Sequence, residues 1–467
     1  DRPAARFAAW YEIFPRSQGT DPTRSATFRE AEARLPAIAA MGFDTLYMTP
    51  IHPIGHTKRK GPNNSLVAGP NDPGSPYATG NEFGGHDAIA PELGTLQDFR
   101  HFLGAARESG LELAMDFAIQ VSPDHPWVTE HPEWFHHLPD GTIRYAENPP
   151  KRYQDIHPIN FWPEEEARLA LWNACHEILE FWIGHGVRIF RVDNPHTKPL
   201  AFWAWLLPEV WADHPDVVFL AEAFTHPAMM HELAAIGFSQ SYTYFTWRTS
   251  AYELRSYVEE LAFGPHAATF RPNFWPNTPD ILSGPLRNGP RAAFEIRAVL
   301  ASLLAPSWGV YSGFELCENS PASPDNEEYH DSEKYRIVER DWTDPDSLAP
   351  LLRRLNEIRR AHRSVGRLDN IRFHDTEDPD VLAFSRRDGE DVLLVVVNLD
   401  PHVPHETMVR LDLGALGLAD GQRFDVHDEL SALVGESGDR WTWNGWHNYV
   451  RLDPAERVGH VFAVTAL

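Results

Sequence analysis

Strand-like and helix-like segments alternate along most of this chain, and this alternation restricts the fold more than any single motif. The strand-like segments are short apolar, β-branched or aromatic runs, and runs without a polar side indicate strands buried on both faces of a parallel sheet. Eight are predicted, at residues 7–14, 43–48, 111–118, 187–193, 217–222, 238–245, 268–274 and 308–315. Eight strand–helix pairs in series predict an α/β fold, the (β/α)8 TIM barrel.

Further along the chain, near residues 365–372, the pattern changes to short alternating strands separated by turn residues. These strands are predicted at 381–386, 392–398, 408–413, 423–427, 449–452 and 460–464. Such spacing is typical of an all-β sandwich. We therefore expect a catalytic barrel over residues 1–368 and a C-terminal β-sandwich over 369–467. Two long polar stretches predict a loop insertion at about 50–94 and a small inserted subdomain at about 119–163.

Composition limits the partners of such a protein. The formal net charge of −26 opposes binding to nucleic acid or to an anionic membrane. The 16 tryptophans suit both core packing and stacking on sugar rings. The sequence carries no signal-peptide pattern and no metal-binding motif, and its two cysteines imply no disulfide framework. We expect a soluble cytoplasmic protein with no metal site.

Three carboxylates follow predicted strands four, five and seven: Asp193, Glu222 and Asp280. Taken alone, Asp193 is better explained as the cap of the next helix, paired with Arg191. In a barrel, however, the carboxyl ends of the strands converge on one pocket. All three positions together therefore favour a catalytic site over three unrelated caps.

Paired carboxylates at such a site can perform glycosidic chemistry with retention of configuration when they are about 5–5.5 Å apart. One attacks the anomeric carbon, and the other protonates the leaving oxygen and then deprotonates the acceptor. Arg191 lies two residues before Asp193 and hence on the same strand face, so we expect it to keep Asp193 ionised. The apolar residues before Glu222 are expected to raise its pKa, as an acid/base needs.

The order of these residues resembles the signature regions of glycoside hydrolase family 13. The matching segments are Arg191–Asp193, Phe219–Glu222 and the pair Asn277 and Asp280, with Gly85–Thr95 and Asp116 as earlier landmarks. The resemblance covers the barrel and the C-terminal β-domain. It implies that Asp193 is the nucleophile, Glu222 the general acid/base and Asp280 the transition-state stabiliser.

The match to ordinary amylases is incomplete, because two family histidines are replaced. Gln120-Val121 stands where amylases have Asn-His, and Pro279-Asp280 stands where they have His-Asp. Four longer strings are similar instead to the GlgE-type α-1,4-glucan:maltose-1-phosphate maltosyltransferases of the same family: KGPNN at 60–64, DFAIQ at 116–120, ENPPKRYQD at 147–155 and WPNTPD at 275–280.

This closer resemblance implies a retaining glycosyltransferase that needs no cofactor. It moves a maltosyl unit from α-maltose 1-phosphate to the non-reducing end of an α-1,4-glucan through a covalent β-maltosyl enzyme, and it releases phosphate. The substrate-binding residues implied are Lys60, Gln120, Asn148, Lys151, Tyr153, Arg191 and Asn194. An amide, an ammonium and a hydroxyl on one proline-stiffened loop, at 148–153, suit a phosphate dianion. The alternative for these residues is hydrogen bonding within their own loops.

Two other functions stay open. One is an α-glucan hydrolase or glucanotransferase of the α-amylase type, without phosphate specificity. The other is a non-catalytic glucan-binding protein, although the presence of all three carboxylates weighs against it. GlgE-type enzymes carry an N-terminal β-rich domain used in dimer assembly, whereas this sequence begins at the predicted first barrel strand. A homodimer is therefore an open expectation.

Overall fold

The first eight strands of the computed structural model form one parallel sheet that closes into a barrel. The model describes residues 2–149, 151–431 and 439–467. The strands are β1 (Ala8–Ile13), β2 (Thr45–Met48), β3 (Glu112–Phe117), β4 (Ile189–Asp193), β5 (Val218–Glu222), β6 (Gln240–Ser241), β7 (Asn273–Phe274) and β8 (Ser307–Tyr311). Their order in the sheet is β6-β5-β4-β3-β2-β1-β8-β7, and a parallel bridge between Ser241 and Pro272 closes the ring. The predicted α/β barrel is confirmed.

Side chains alternate between the interior of the barrel and the layer of helices around it. On β4, Ile189 belongs to a small interior cluster with Trp10 and Leu220, whereas Phe190 stacks on Phe219 in the larger core under the helices. Alternation along the strand therefore aims Arg191 and Asp193 toward the barrel axis. This placement brings charged groups to the carboxyl end of an otherwise apolar barrel.

Ten α-helices are found in the described part of the chain. They are α1 (Phe28–Ala31), α2 (Leu35–Ala40), α3 (Leu96–Glu108), α4 (Pro126–Glu130), α5 (Glu165–Gly184), α6 (Leu200–Asp213), α7 (Pro227–Ile236), α8 (Ala251–Phe263), α9 (Arg291–Leu304) and α10 (Ala349–Ala361). The helix α3 begins with a capping box, because the Thr95 hydroxyl accepts from the Asp98 amide and the Asp98 carboxylate accepts from the Thr95 amide. Its apolar face, which includes Phe99 and Phe102, is buried.

Strands six and seven are much shorter than predicted. After β6 the chain turns into a 3-10 helix, Tyr244–Trp247, whose first turn is capped by the Thr243 hydroxyl. Before β7, hydrogen-bonded turns occupy residues 264–270. The aromatic residues that suggested long strands are buried all the same, and Phe245 of this 3-10 helix stacks on Phe274 of β7. Helices α7 and α8 follow β5 and β6 and belong to two of the eight expected strand–helix pairs.

The two inserted stretches contain little regular structure. An isolated bridge joins Ile54 to Thr79 in the first. In the second, Gln120–Val121 pairs with His157–Pro158, and a hairpin is formed by Ala146–Asn148 and Lys151–Tyr153. These elements fix the loops that cover the carboxyl end of the barrel.

A second, antiparallel sheet forms the C-terminal part of the molecule. Its strands are β9 (Ile371–Thr376), β10 (Val381–Asp388), β11 (Asp391–Asn398), β12 (His405–Arg410), β13 (Arg423–Asp428), β14 (Arg440–Asn444), β15 (His447–Leu452) and β16 (Gly459–Ala466), in the order β14-β13-β16-β11-β10-β9-β12-β15. The sheet folds over on itself, because Val409 and Val450 from one end share a core with Leu394 and Val426 from the other. The predicted β-sandwich is confirmed, with β9 and β14 as additional strands.

None of the helices in the described ranges is both long and apolar enough to cross a bilayer.

Candidate active site

Asp193 and Glu222 are neighbours at the carboxyl end of the barrel. They are the last residues of β4 and β5 and are paired in register across these parallel strands. Adjacent strands lie about 4.8 Å apart. Their residues are only 6% and 9% exposed. Two buried carboxylates on neighbouring strands fit the short separation that retaining glycosidic chemistry requires.

Arg191 is the cation that joins the acidic groups of the site. One guanidinium nitrogen donates to Asp193 Oδ1 at 2.8 Å and to both carboxylate oxygens of Asp116 at 3.2 Å. The other terminal nitrogen lies 3.4 Å from Glu222 Oε2. The expected pairing of Arg191 with Asp193 is found. The helix-cap alternative for Asp193 is wrong, because Pro199 precedes α6 and Asn194 precedes the intervening turn.

Asp116 forms the inner wall of this cluster. It lies on β3 and is 2% exposed, and it accepts hydrogen bonds from the hydroxyls of Tyr47 at 2.5 Å and Tyr77 at 3.0 Å. Burial raises the pKa of Asp116 to about 6, although Arg191 opposes the shift. Asp116 therefore anchors Arg191 from below, while Asp193 and Glu222 face the pocket.

Glu222 has the electrostatics of a proton carrier. Burial raises the pKa of its carboxyl to about 7; Arg191 lowers it, while Asp193 and Asp280 raise it further. The raised pKa agrees with the expectation drawn from its apolar flank. The backbone amide of Asn194 donates to Glu222 Oε2 at 3.1 Å, and Asn194 adopts a left-handed conformation with φ of 43°. The backbone amide of Asn194 in this turn therefore orients Glu222, the candidate acid/base.

Asp280 differs from the other two carboxylates because it has cations of its own. It lies in the tight turn between Asn277–Thr278 and Ile281–Leu282, and Lys334 Nζ donates to its Oδ1 at 2.7 Å. Burial would raise the pKa of Asp280, but Lys334 and Lys151 outweigh it and lower the pKa to about 2. Asp280 therefore stays ionised while Glu222 can carry a proton.

Lys334 is a site residue that the sequence did not reveal. It is 7% exposed, and its ammonium lies 5.6 Å from the ring centres of Tyr77 and Tyr153 and 5.8 Å from that of Tyr335. It belongs to the long irregular connection between β8 and α10, where no periodicity marks one residue over another. Only the fold brings this segment over the end of β7.

The structure brings part of the predicted donor set together. Lys151 forms an ion pair with Glu328 at 2.8 Å, and Tyr153 lies beside Lys334. Lys60 is buried and donates to the side-chain oxygen of Gln154. Lys60 and Lys151 both line a cavity of about 520 Å³. The ammonium groups of this cavity are thus held by the hairpin that carries Lys151 and Tyr153.

The remaining predicted residues lie at the edges of this arrangement. Asn148 is exposed and faces Lys151 across the hairpin. Gln120 is half-buried at the start of its two-residue strand, opposite Pro158.

Among the described residues, one group could hold a metal ion: Asp378, Asp380 and His405, whose ligand atoms lie within 4.8 Å of one another. That group belongs to the C-terminal sheet and not to the barrel.

Comparison with known proteins gives relatives that match along nearly the whole chain. Residues 373–464 match the family described as "GLGE, C-terminal". The chain is 56% identical to alpha-1,4-glucan:maltose-1-phosphate maltosyltransferase 2 of Streptomyces coelicolor, over 99% of this chain and 68% of that protein. It is 52% identical to the alpha-1,4-glucan:maltose-1-phosphate maltosyltransferase of Mycolicibacterium smegmatis, over 99% of this chain and 66% of that protein.

Solved structures give the same architecture at low sequence identity. The maltogenic α-amylase AmyB of Thermotoga neapolitana is similar with a TM-score of 0.73 and 18% identity, covering all of both chains. An α-amylase of Geobacillus thermoleovorans, solved with acarbose, is similar with a TM-score of 0.71 and 16% identity over 99% of each chain. This likeness is one of fold.

Proposed function

The chain belongs to the α-1,4-glucan:maltose-1-phosphate maltosyltransferases, and from this premise we propose that it transfers a maltosyl unit from α-maltose 1-phosphate to the non-reducing end of an α-1,4-glucan. Phosphate is the second product. One observation carries the mechanism: Asp193 and Glu222 end adjacent strands in register, with Arg191 between them. The pair supplies a nucleophile and a proton carrier on one side of a single pocket.

In the first half-reaction, an Asp193 oxygen attacks the anomeric carbon of the donor and the bond to the phosphate oxygen breaks. The hydrogen bond from Arg191 to Asp193 Oδ1 orients the side chain that attacks. Glu222 gives its proton to the departing phosphate oxygen. Because its pKa is about 7, a large fraction of Glu222 is protonated near neutral pH. The product is a β-maltosyl ester of Asp193.

In the second half-reaction, Glu222 is ionised and takes the proton of the acceptor 4-hydroxyl. That oxygen attacks the anomeric carbon from the face that phosphate left, and the ester bond to Asp193 breaks, which restores the α configuration and frees the Asp193 carboxylate. Asp280 stays ionised through both steps because Lys334 and Lys151 lower its pKa. Its negative charge stabilises the oxocarbenium-like transition states and holds sugar hydroxyls.

Donor selectivity comes from a cavity lined by three cations, Lys60, Lys151 and Arg152, and by two carboxylates, those of Asp325 and Glu328, in an acidic protein. Lys60 and Lys151 line one cavity, next to the hairpin that carries Asn148 and Tyr153. Ammonium, amide and hydroxyl donors are the groups that hold a phosphate dianion. We therefore assign the phosphate to this cavity, with Gln120, Arg191 and Asn194 nearer the sugar.

A cytoplasmic role in glucan synthesis completes the proposal. Cys175 is buried and Cys317 is half-buried, and both are free thiols. Such usage suits a reducing compartment.

Phosphate release tests the proposal against its closest rival. With maltose 1-phosphate as donor, release should depend on added maltooligosaccharide, and the oligosaccharide should lengthen by two glucose units. An α-glucan hydrolase would instead liberate maltose at the same rate without acceptor, and that result would overturn the transferase assignment. Asp193→Ala should lose all transfer while still binding glucan, which a non-catalytic glucan-binding protein could not account for.

The donor site can be tested separately by structure determination. Asp193→Ala crystals soaked in maltose 1-phosphate should hold phosphate beside Lys60, Lys151 and Tyr153. Phosphate bound on another side of the pocket would contradict the assignment of the cavity.

A further inference from the structure

Lys198 is a buried cation next to the nucleophile, and no step of the proposed transfer uses it. It is 7% exposed, and its ammonium donates to the backbone carbonyls of Asp193 at 3.1 Å and Asn194 at 3.3 Å. We propose that Lys198 is a positioning residue, which holds the turn after β4 so that the nucleophile and the acid/base keep their places. This inference deepens the proposed function and rests on it, because it concerns the same reaction.

The turn that Lys198 contacts serves both members of the catalytic pair. Asp193 is the last residue of β4, and the backbone amide of the next residue, Asn194, donates to Glu222 Oε2 at 3.1 Å. A movement of this turn would displace the attacking carboxylate and would also weaken the hydrogen bond that orients the acid/base. A side chain that fixes the turn therefore controls the geometry of both.

The backbone of the turn is one that needs support from outside. Asn194 has a φ of 43°, in the left-handed region, where residues other than glycine are uncommon. The Thr197 hydroxyl donates to the Asn194 carbonyl at 2.7 Å, and the Trp203 indole donates to a neighbouring carbonyl at 2.8 Å. Lys198 adds a charged donor to this set, and charge-assisted hydrogen bonds are stronger than neutral ones. The turn is thus held from the side that faces away from the pocket.

The charge of Lys198 suits the site in both half-reactions. Burial lowers the pKa of Lys198, while the carboxylates of Asp193 and Glu222 oppose this shift. In the free enzyme Asp193 is a carboxylate, and in the β-maltosyl enzyme Asp193 is an ester while Glu222 is ionised. One of the two carboxylates therefore balances the ammonium at each stage, which matters because an unbalanced buried cation is costly. The other charged and titratable groups that interact with this ammonium are Arg191, Asp116, Cys175 and His196.

Lys198→Met tests the role, because methionine keeps much of the side-chain length and lacks the ammonium. With a looser turn, kcat for transfer from maltose 1-phosphate to maltotetraose should fall about tenfold to a hundredfold, since small displacements of reacting groups slow a reaction strongly. The KM values for donor and acceptor should stay within about twofold, because an interaction that acts on the reacting groups alone changes kcat. Lys58→Met, on an exposed loop, is the matched control and should behave like the unchanged protein.

The pH dependence distinguishes positioning from a general structural defect. The Asn194 amide lowers the pKa of Glu222, and Lys198 keeps that amide in place. In Lys198→Met this hydrogen bond weakens and the positive charge is gone, so the pKa of Glu222 should rise; Arg191 and Asp280 act on it equally in both proteins. The second half-reaction needs ionised Glu222. The acid limb of kcat/KM for the acceptor should therefore move to higher pH by about half a unit to one unit.

A second variant keeps the test valid if Lys198→Met does not fold. Thr197→Val removes the hydroxyl that donates to the Asn194 carbonyl, and because its side chain is exposed the Tm should not change. The acid limb should move in the same direction by a smaller amount. If Lys198→Met does not fold, an unmoved limb in Thr197→Val overturns the proposal by itself.

Two results with a folded Lys198→Met protein would also overturn the positioning role. A rate that falls equally at every pH would leave this lysine a structural residue. A raised acceptor KM with an unchanged kcat would make it an acceptor-binding residue instead.

The positioning role and the proposed function can fail separately. A protein that hydrolyses maltooligosaccharides and does not use maltose 1-phosphate would reject the transferase, and a shifted Glu222 pKa in the hydrolysis by Lys198→Met would still keep the role of the lysine. Acceptor-dependent phosphate release with identical pH profiles in all variants would keep the function and reject the role.

Discussion

Glu222 and Asp280 show how neighbouring residues give two carboxyls of one pocket different protonation states. Burial acts on both, but Asp280 faces Lys334 and Lys151, whereas Arg191, which lies 3.4 Å from Glu222, is shared with two aspartates. Their pKa values are therefore about 2 and about 7. Because their surroundings separate the two pKa values, Glu222 is assigned as the acid/base and Asp280 as the group that keeps its negative charge.

Glu222→Gln should separate the two half-reactions. Phosphate is a good leaving group, so its departure needs little acid assistance, whereas the acceptor hydroxyl needs a base. We expect the variant to form the β-maltosyl ester of Asp193 and to turn over at least about a hundredfold more slowly. Intact-protein mass spectrometry after incubation with maltose 1-phosphate should show the added mass of one maltosyl unit. Asp193→Ala is the control and should show none; an adduct there would place the nucleophile elsewhere.

Lys334→Met should act mainly through Asp280. The substitution keeps much of the side-chain length but removes the ammonium that lies 2.7 Å from the carboxylate. The pKa of Asp280 should rise, and kcat should fall about tenfold to a hundredfold as transition-state charge stabilisation is lost. Lys58→Met, on an exposed loop, is the control. A Lys334→Met enzyme with normal kcat over the whole pH range would show that this ion pair has no part in the reaction.

At the residue scale, sequence reasoning found what lies on regular strands and missed what lies on irregular loops. Arg191 and Asp193 were paired correctly because alternation along a strand fixes which side chains share a face. Lys334 could not be found, because its contact with Asp280 joins positions 54 residues apart through a connection without periodicity. Tyr77 was missed for the same reason, whereas Tyr47 lies on the regular strand β2 and only its hydrogen bond to Asp116 reveals its place in the site.

At the scale of elements, the barrel was predictable where hydrophobic runs coincide with strands. The start of helix α3 can be read from the sequence, since Thr95 and Asp98 form a local capping motif that needs no tertiary information. Strands β6 and β7 were overestimated, because aromatic residues favour strands and helix-packed turns alike. The long loops over the pocket carry contacts that no local pattern encodes.

Three buried histidines attach these loops to the barrel. The ring centres of His52 and His86 are 5.6 Å apart and those of His86 and His125 are 5.2 Å apart, and Trp182 of α5 donates to the His86 carbonyl at 2.8 Å. Burial lowers their pKa values to about 3, about 4 and about 2. All three are therefore neutral in the folded protein near neutral pH.

Acid should destabilise the protein through this histidine group. Between about pH 6.5 and pH 4 the unfolded chain binds protons on these imidazoles and the folded chain does not, so stability is full above that range and falls as pH falls. In this pH range, His86→Asn should reduce the slope of the unfolding free energy against pH by about 1.4 kcal/mol per pH unit. Urea unfolding at a series of pH values measures this slope. The exposed His402→Asn is the control, and an unchanged slope in His86→Asn would contradict the assignment.

At the scale of the whole molecule, one arginine of the C-terminal sheet completes a helix of the barrel. Arg386 of β10 is 1% exposed and donates to the carbonyls of Leu303 at 2.7 Å and Leu304 at 2.6 Å, in the last turn of α9. The final carbonyls of a helix have no partner within the helix, and a cation also complements its dipole. The sandwich therefore supplies a second end group for α9, beside Arg359 of α10, which donates to the carbonyls of Ser302 and Ala305.

Arg386→Met should separate the unfolding of the two parts. The substitution leaves the carbonyls of Leu303 and Leu304 without this donor, which costs about 2–6 kcal/mol for two such groups. The neighbouring Arg387→Met is the control, because Arg387 lies on the exposed side of the same strand. Differential scanning calorimetry should show one transition in the control and a lower, broader or double transition in Arg386→Met. Identical thermograms would mean that the barrel and the sandwich are joined by their shared apolar core, and that this arginine adds nothing to it.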